Sequence, residues 1–271
     1  MNKRLLIDAD SLIYIIAYNH REGSDERSVK DSCDTFLADM MLMSGCDEYI
    51  GSFSSSKNFR HELYKYAEYK GKRPEKADYV KLWEPVIKEH YVNKHGFIVP
   101  GTERCPVELE ADDVVVALAH LCIEDGIKYV IASPDKDLRQ VQGIFYNYAK
   151  QGEDIPVTTE ITPVQAQFNF WFQMLTGDST DNILAVPGLG PVKALKLLDG
   201  IEAFQMKSVV LSAYCKYFGS YYGNIIFAET FNTIMLLSPK HMMWEGYRPY
   251  IEHVHHGCVH TLQTAKGIFD V

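Results

Sequence analysis

Three short apolar runs govern what this chain can fold into. Arg4-Leu5-Leu6-Ile7-Asp8, Tyr49-Ile50-Gly51 and Lys128-Tyr129-Val130-Ile131-Ala132 each read as a buried strand. Helical patterns lie between them. Residues 28–44 space Cys33, Phe36, Leu37, Met40 and Met41 for one face, and residues 109–123 do the same with Val114, Val115, Leu118 and Leu121. Strand–helix alternation predicts an α/β fold, a mostly parallel central sheet with helices on both faces. Near residue 161 the character changes. Thr162-Pro163 reads as an N-cap followed by proline at the first helical position, opening a helix that runs to Leu175. No later run reads as a strand. The expected organisation is an α/β domain over 1–160 and a helical domain over 161–271.

The 271 residues are 46% hydrophobic, enough for one large domain or a domain with a smaller partner. No apolar run nears the roughly 20 residues that span a bilayer, and Asp8 and Asp10 come too early for a signal peptide. Neither a membrane partner nor secretion is expected. Six cysteines without paired spacing predict free thiols and a cytoplasmic location.

The acids cluster where elements change. Asp8-Ala9-Asp10 ends the first strand, and Glu108-Leu109-Glu110-Ala111-Asp112-Asp113 opens a helix. Asp135-Lys136-Asp137 follows the strand ending at Ala132, and Asp178-Ser179-Thr180-Asp181 follows the helix ending near Leu175. In open parallel sheets ligands gather beyond the carboxyl ends of the strands, where Asp8, Asp135 and Asp137 project. Asp178 and Asp181 are three apart, so on a helical turn both face one way. Carboxylates that converge need a cation to stay ionised. Oxygen ligands without nearby His or Cys suit Mg²⁺ or Mn²⁺. Two such ions can ready a water nucleophile and stabilise the leaving oxygen of a phosphodiester.

The order of these pieces resembles the 5′-nuclease superfamily, which includes flap endonucleases and the 5′-nuclease domain of bacterial DNA polymerase I. Bacteriophage 5′→3′ exonucleases are most similar. The resemblance rests on Leu6-Ile7-Asp8-Ala9-Asp10-Ser11, on Asn58-Phe59-Arg60 with Tyr69-Lys70-Gly71-Lys72-Arg73, and on Leu109-Glu110-Ala111-Asp112-Asp113. It continues through Ser133-Pro134-Asp135-Lys136-Asp137 and Thr176-Gly177-Asp178-Ser179-Thr180-Asp181-Asn182-Ile183 into Val186-Pro187-Gly188-Leu189-Gly190-Pro191. It implies a PIN-like core and metal roles for Asp8, Glu110, Asp112, Asp113, Asp135, Asp137, Asp178 and Asp181. Glu110, Asp112 and Asp135 would surround the catalytic ion, and Asp137, Asp178 and Asp181 the second. Asp8 and Asp135 are expected to be essential to catalysis. The chain departs from the family at Gly51–Ser56, which holds no acid. Either Ser52 or Ser55 faces the metal through water, or Asp10 takes that place.

Net charge is −9, yet with eight of the 36 acids set aside as ligands the rest nearly balance 27 Lys plus Arg. Local basic patches can therefore contact phosphate. Arg60, Lys70, Lys72, Arg73 and Lys76 interleave with Tyr64, Tyr66 and Tyr69. The cations could clamp a scissile phosphate, and the tyrosines could stack on an unpaired base. The resemblance places Lys70 and Arg73 in a helical arch, around residues 57–92. Pro187-Gly188-Leu189-Gly190-Pro191 reads as a hairpin whose glycines let backbone approach phosphate, with Lys193 and Lys196 on the helix that follows. By resemblance, residues 176–198 form a helix–two-turn–helix that grips duplex backbone and binds K⁺. His253, His255, His256, Cys258 and His260 near the end lack a second pair at zinc-finger spacing.

Rival readings explain less. A haloacid-dehalogenase-like phosphatase fits Asp8-Ala9-Asp10 but leaves Glu110–Asp113 and the glycine hairpin without a role. A DNA-junction binding protein with a decayed metal site is favoured by the missing acid and opposed by the other eight. A toxin-like ribonuclease is opposed by the DNA-gripping second half. The expected function is metal-dependent 5′→3′ exonuclease or flap endonuclease activity in replication or primer removal. Expected partners are DNA with 5′ ends, nicks or flaps, RNA–DNA hybrids and replication proteins, and the chain is expected to be a monomer.

Overall fold

A computed structural model describes residues 3–103, 105, 108–150 and 158–236. Its centre is strand β1 (Lys3–Asp8), where period-two alternation splits the apolar run between two faces. Leu5 and Ile7 bury on one side, against helices α1 (Asp10–Asn19), α2 (Glu26–Ser44) and α4 (Asp78–His95). Leu6 buries on the other, against α5 (Ala111–Glu124). β1 pairs in parallel with β2 (Glu48–Ser52) and β3 (Lys128–Ala132). Two further strands were not legible as apolar runs. β4 (Gly143–Tyr146) joins β3 in parallel, and β5 (Thr158–Ile161) pairs antiparallel to β4. The order is β2-β1-β3-β4-β5, a mostly parallel sheet covered by helices on both faces.

Local signals explain where the helices start and stop. Asp25 caps α2 by accepting from the Ser28 N–H, and Gly45 ends it at φ 59°. The expectation of an arch over 57–92 needs narrowing. Only α3 (Arg60–Leu63) is helical before Asp78, and the apolar stripe Val80, Trp83, Ile87 and Tyr91 seats α4 in the core. The segment facing the site lies between Phe59 and Ala77.

Sheet gives way to helix between Ile161 and Pro163. α6 (Pro163–Thr176) opens with a capping box in which Thr162 and Gln165 bond each other's backbone N–H. α7 (Pro191–Leu198), α8 (Ala203–Phe218) and α9 (Ser220–Ile234) follow. A third core joins Trp171, Met174, Val210, Tyr214 and Phe227 to Tyr64 and Tyr69 from the loop after α3. The five cysteines among the described residues are free. No helix there is long and apolar enough to cross a membrane. The His-rich stretch from His253 to His260 lies outside the described residues.

Candidate functional site

The parallel register brings the carboxyl ends of β1, β2 and β3 to one edge. Asp8, the last residue of β1, is buried and accepts a 2.8 Å hydrogen bond from the Ser133 hydroxyl. Burial, with the charges of Asp10 and Asp135 beside it, pushes its pKa up to about 7. Asp10 points to the loop after β2, accepting from the Ser54 N–H at 3.0 Å and its hydroxyl at 2.5 Å. The same Ser54 oxygen accepts from Ala111 N–H at 2.9 Å, tying the starts of α1 and α5 to the loop after β2.

The serines of that loop have backbone partners. The Ser52 hydroxyl is buried and donates to the Phe53 carbonyl, and that of Ser55 donates to the carbonyls of Lys57 and Leu109. Neither serine faces the carboxylates. Asp10, held by Ser54, lies beside that loop.

The start of α5 holds Glu110, Asp112 and Asp113, one carboxylate oxygen of each lying within 4.8 Å of the others. Asp112 is pushed well above the ordinary carboxylate range by burial, then by the charge of Asp113. One expectation is corrected here. Arg60 is 1% exposed and donates to both Asp113 oxygens at 2.6 Å, to Glu110 at 3.0 Å and to the Thr233 carbonyl at 2.8 Å. It is enclosed and cannot contact DNA. Asp113, 0% exposed, has both oxygens bonded to Arg60 and still lies within the group of carboxylates that could hold an ion.

The loop after α3 reaches over this cluster. The Tyr69 hydroxyl lies 2.9 Å from Glu110 Oε2 and 3.0 Å from Asp181 Oδ2, and burial pushes its pKa up so that it stays protonated. Lys70 Nζ pairs with Glu110, and its backbone N–H donates to the Asp181 carbonyl at 2.8 Å. Burial pulls the Lys70 pKa down against the attraction of Asp181 and Asp112. Arg73, half exposed, donates to Asp181 at 2.6 Å. Lys72 is exposed. Of the tyrosines read as base-stacking candidates, Tyr64 and Tyr69 are buried, and only Tyr66, at 37%, keeps an exposed ring.

On the far side, Asp135 is exposed, and Asp137 is pushed up to about 6 by burial and by the charge of Asp135. Lys136 Nζ sits 3.0 Å from Asp137 and 2.6 Å from Asp178. Burial would raise Asp178, but Lys136 holds it below its ordinary range. Asp178 and Asp181 are not on a helical turn. Asp178 bridges Ile183, its side chain accepts from the N–H groups of Thr180 and Asp181, and Asn182 turns at φ 57°. That tight turn sends Asp178 toward Lys136 and Asp181 toward Tyr69 and Arg73.

Asp8, Asp10, Glu110, Asp112, Asp135, Asp137, Asp178 and Asp181 are thus gathered at one edge. Lys136, Ser54 and Ser133 complete it without having been singled out in the sequence, where a lysine between two acids and isolated serines carry no signal. The donor set is all carboxylate oxygen, and Asp8 and Asp112 repel each other while shielded from water. Such a set fits hard divalent cations. Farther away, Gly188 turns at φ 81° ahead of α7, and Lys193 and Lys196 are exposed on that helix.

Residues 3–167 match the family model described as 5′-3′ exonuclease, N-terminal resolvase-like domain. DNA polymerase I of Bacillus subtilis (strain 168) is 26% identical over 220 residues, covering 75% of this chain and 24% of that protein. A 5′-3′ exonuclease of Aquifex aeolicus is 35% identical over 151 residues, 53% of this chain and 48% of its own. Flap endonuclease Xni of Pseudoalteromonas translucida is 26% identical over 212 residues, 74% of this chain and 79% of that one. The chain thus spans less than half of the first two relatives. Among solved structures, T5 5′-exonuclease with bound zinc superposes with a TM-score of 0.58 at 13% identity, covering 86% of this chain and 99% of that chain. T5 D15 flap endonuclease, in complex with DNA and metal ions, gives 0.54 at 12% identity, covering 86% of this chain and 97% of that chain. At such identities the likeness is one of fold, and it agrees with the α/β sheet and helical region described above. The matched model spans most of the chain and all of the sheet: this protein belongs to the 5′-3′ exonuclease N-terminal domain family.

Proposed function

We propose that the protein is a metal-dependent nuclease that hydrolyses DNA phosphodiester bonds at free 5′ ends, nicks or 5′ flaps. One observation carries this reading. Carboxylates from β1, α5, the loop after β3 and the turn after α6 meet at one sheet edge, with Lys70 and Arg73 beside them. Glu110, Asp112, Asp8 and Asp135 would hold one Mg²⁺ or Mn²⁺, and Asp137, Asp178 and Asp181 a second. When bound, such ions supply Lewis acidity that activates water and offsets charge on phosphate oxygens.

The chain's own residues do the rest. Lys70, with its ammonium drawn into the carboxylates, orients the scissile phosphate and offsets charge that builds in the transition state. Arg73, more exposed, reaches the adjoining phosphate. Tyr66 offers a ring to an unpaired base. Gly188, Gly190, Lys193 and Lys196 grip duplex backbone away from the cut, which fixes position without reading sequence. K⁺ held by carbonyls of that hairpin would support the same grip. The names of the relatives favour DNA as substrate and a place in replication.

The test is cleavage of 5′-labelled nicked and flapped duplexes with Mg²⁺, comparing the parent with Asp135→Ala. Metal-dependent cleavage lost in the variant supports the proposal, and product lengths separate exonuclease from flap cutting. Structure-specific binding without cleavage under Mg²⁺ or Mn²⁺ would replace it with a DNA-junction binding role.

A further inference from the structure

Outside the carboxylate edge, one cluster has different donor chemistry. Asp34 on α2 faces His90 and His95 on α4, with ligand atoms of all three within 4.8 Å of one another. Both imidazoles aim the same nitrogen at one carboxylate oxygen: His90 Nε2 is 2.7 Å and His95 Nε2 2.6 Å from Asp34 Oδ1. This is not a consequence of helical repeat, since residues five apart point to different sides of a regular helix. His95 is the last residue of α4, before Gly96 turns the chain at φ 68°.

From this geometry we infer a second metal site: Asp34, His90 and His95 form a transition-metal site, suited to Zn²⁺, that joins α2 to α4. Two imidazoles and a carboxylate are a zinc-type donor set, where the sheet-edge site offers oxygen alone. Zinc donors at about 2.0–2.1 Å in tetrahedral arrangement stand roughly 3.3 Å apart. The two nitrogen–oxygen spacings, 2.7 and 2.6 Å, need to open by only roughly 0.6–0.7 Å, within reach of small side-chain rotations. Supporting contacts are in place. The Tyr49 hydroxyl lies 3.3 Å from His95 Nδ1, which orients the ring, and Lys94 holds Asp34 Oδ2 at 2.6 Å, leaving Oδ1 for the ion. The His95 side chain is buried and His90 is 10% exposed, while Asp34 at 29% opens to solvent, giving an entry path and room for water as fourth ligand. None of these residues serves the proposed nuclease site, so either idea can fail alone.

The test is Zn²⁺ titration of chelator-treated full-length protein in excess Mg²⁺, read by calorimetry and by thermal unfolding. Expected is tight zinc uptake that raises the melting temperature. Both effects should weaken tenfold or more in His90→Gln and in Asp34→Asn, and persist in Asp135→Asn. Circular dichroism would confirm that each variant is folded. Co²⁺ in place of zinc should give the visible absorption of a four-coordinate ion in the parent and not in His90→Gln. Zinc uptake unchanged in His90→Gln and Asp34→Asn, or lost in Asp135→Asn instead, would overturn the proposal.

Discussion

Arg60 and Asp113 form a fully enclosed bidentate ion pair, 2.6 Å on each arm, that joins α3 to the start of α5. The same guanidinium bonds the Thr233 carbonyl at the end of α9. Breaking a buried pair from one side strands the other charge, at a cost of about 3–5 kcal/mol. Arg60→Met should therefore lower stability by about that much in urea unfolding. A loss below about 1 kcal/mol, ordinary for a surface pair, would show that the arginine is not what holds these elements.

Lys70→Ala should leave the fold intact by circular dichroism and lower single-turnover cleavage by about 10²–10³, the cost of removing one charge-stabilising donor. A decrease below about tenfold would assign Lys70 to loop structure rather than to phosphate.

Lys136 sits between Asp137 and Asp178 where a second cation would act. Lys136→Met should make the metal-free protein less stable and make the stability gained on adding Mg²⁺ larger. An unchanged Mg²⁺ response would mean that lysine and metal do not compete.

Asp8 and Asp137 have folded-state pKa values of about 7 and about 6, above the ordinary 3.8. A raised folded pKa stabilises most at low pH, and that stability is lost as pH rises through the folded value. In chelator, Asp8→Asn should gain on the parent as pH rises from about 5 to about 8. Mg²⁺ should stabilise the parent more than the variant at the higher pH. A stability difference that does not change with pH would contradict the burial argument for Asp8.

Gly177 ends α6 at φ 67°, ψ −168°, and a Cβ there would meet the Ile183 carbonyl oxygen at 2.4 Å and Ala185 N at 2.6 Å. That backbone conformation is open almost solely to glycine. Gly177→Ala should displace the Asp178–Asp181 turn, reducing stability by at least about 1–3 kcal/mol and lowering the Mg²⁺ response. Wild-type stability and Mg²⁺ response in the variant would show that the turn is freer than its contacts indicate.

The sheet's centre was legible because β1 and β3 are apolar runs of five or six residues between helical patterns. β4 and β5 are four residues each, too short for alternation to register. Carboxylate positions were legible from their place at element ends, but their partners were not. Arg60 among lysines and tyrosines reads as a surface cation, and Asp113 beside Asp112 reads as a ligand. Only the fold shows that these two neutralise each other. Spacing of three suggested a helical turn for Asp178 and Asp181, yet the side chain of Asp178 bonds its own turn and the two carboxylates take different partners, Lys136 for one and Tyr69 with Arg73 for the other.

The loop carrying Tyr69 and Lys70 is tied to Asp181, 112 residues beyond Tyr69 in the chain. A ribosome-bound or proteolysed fragment ending before that turn would keep Asp8, Glu110 and Asp112 but lose the anchor that seats the lysine beside them. The order of synthesis thereby sets an order of assembly: the loop with Tyr69 and Lys70 gains its Asp181 anchor only once the turn after α6 has been made.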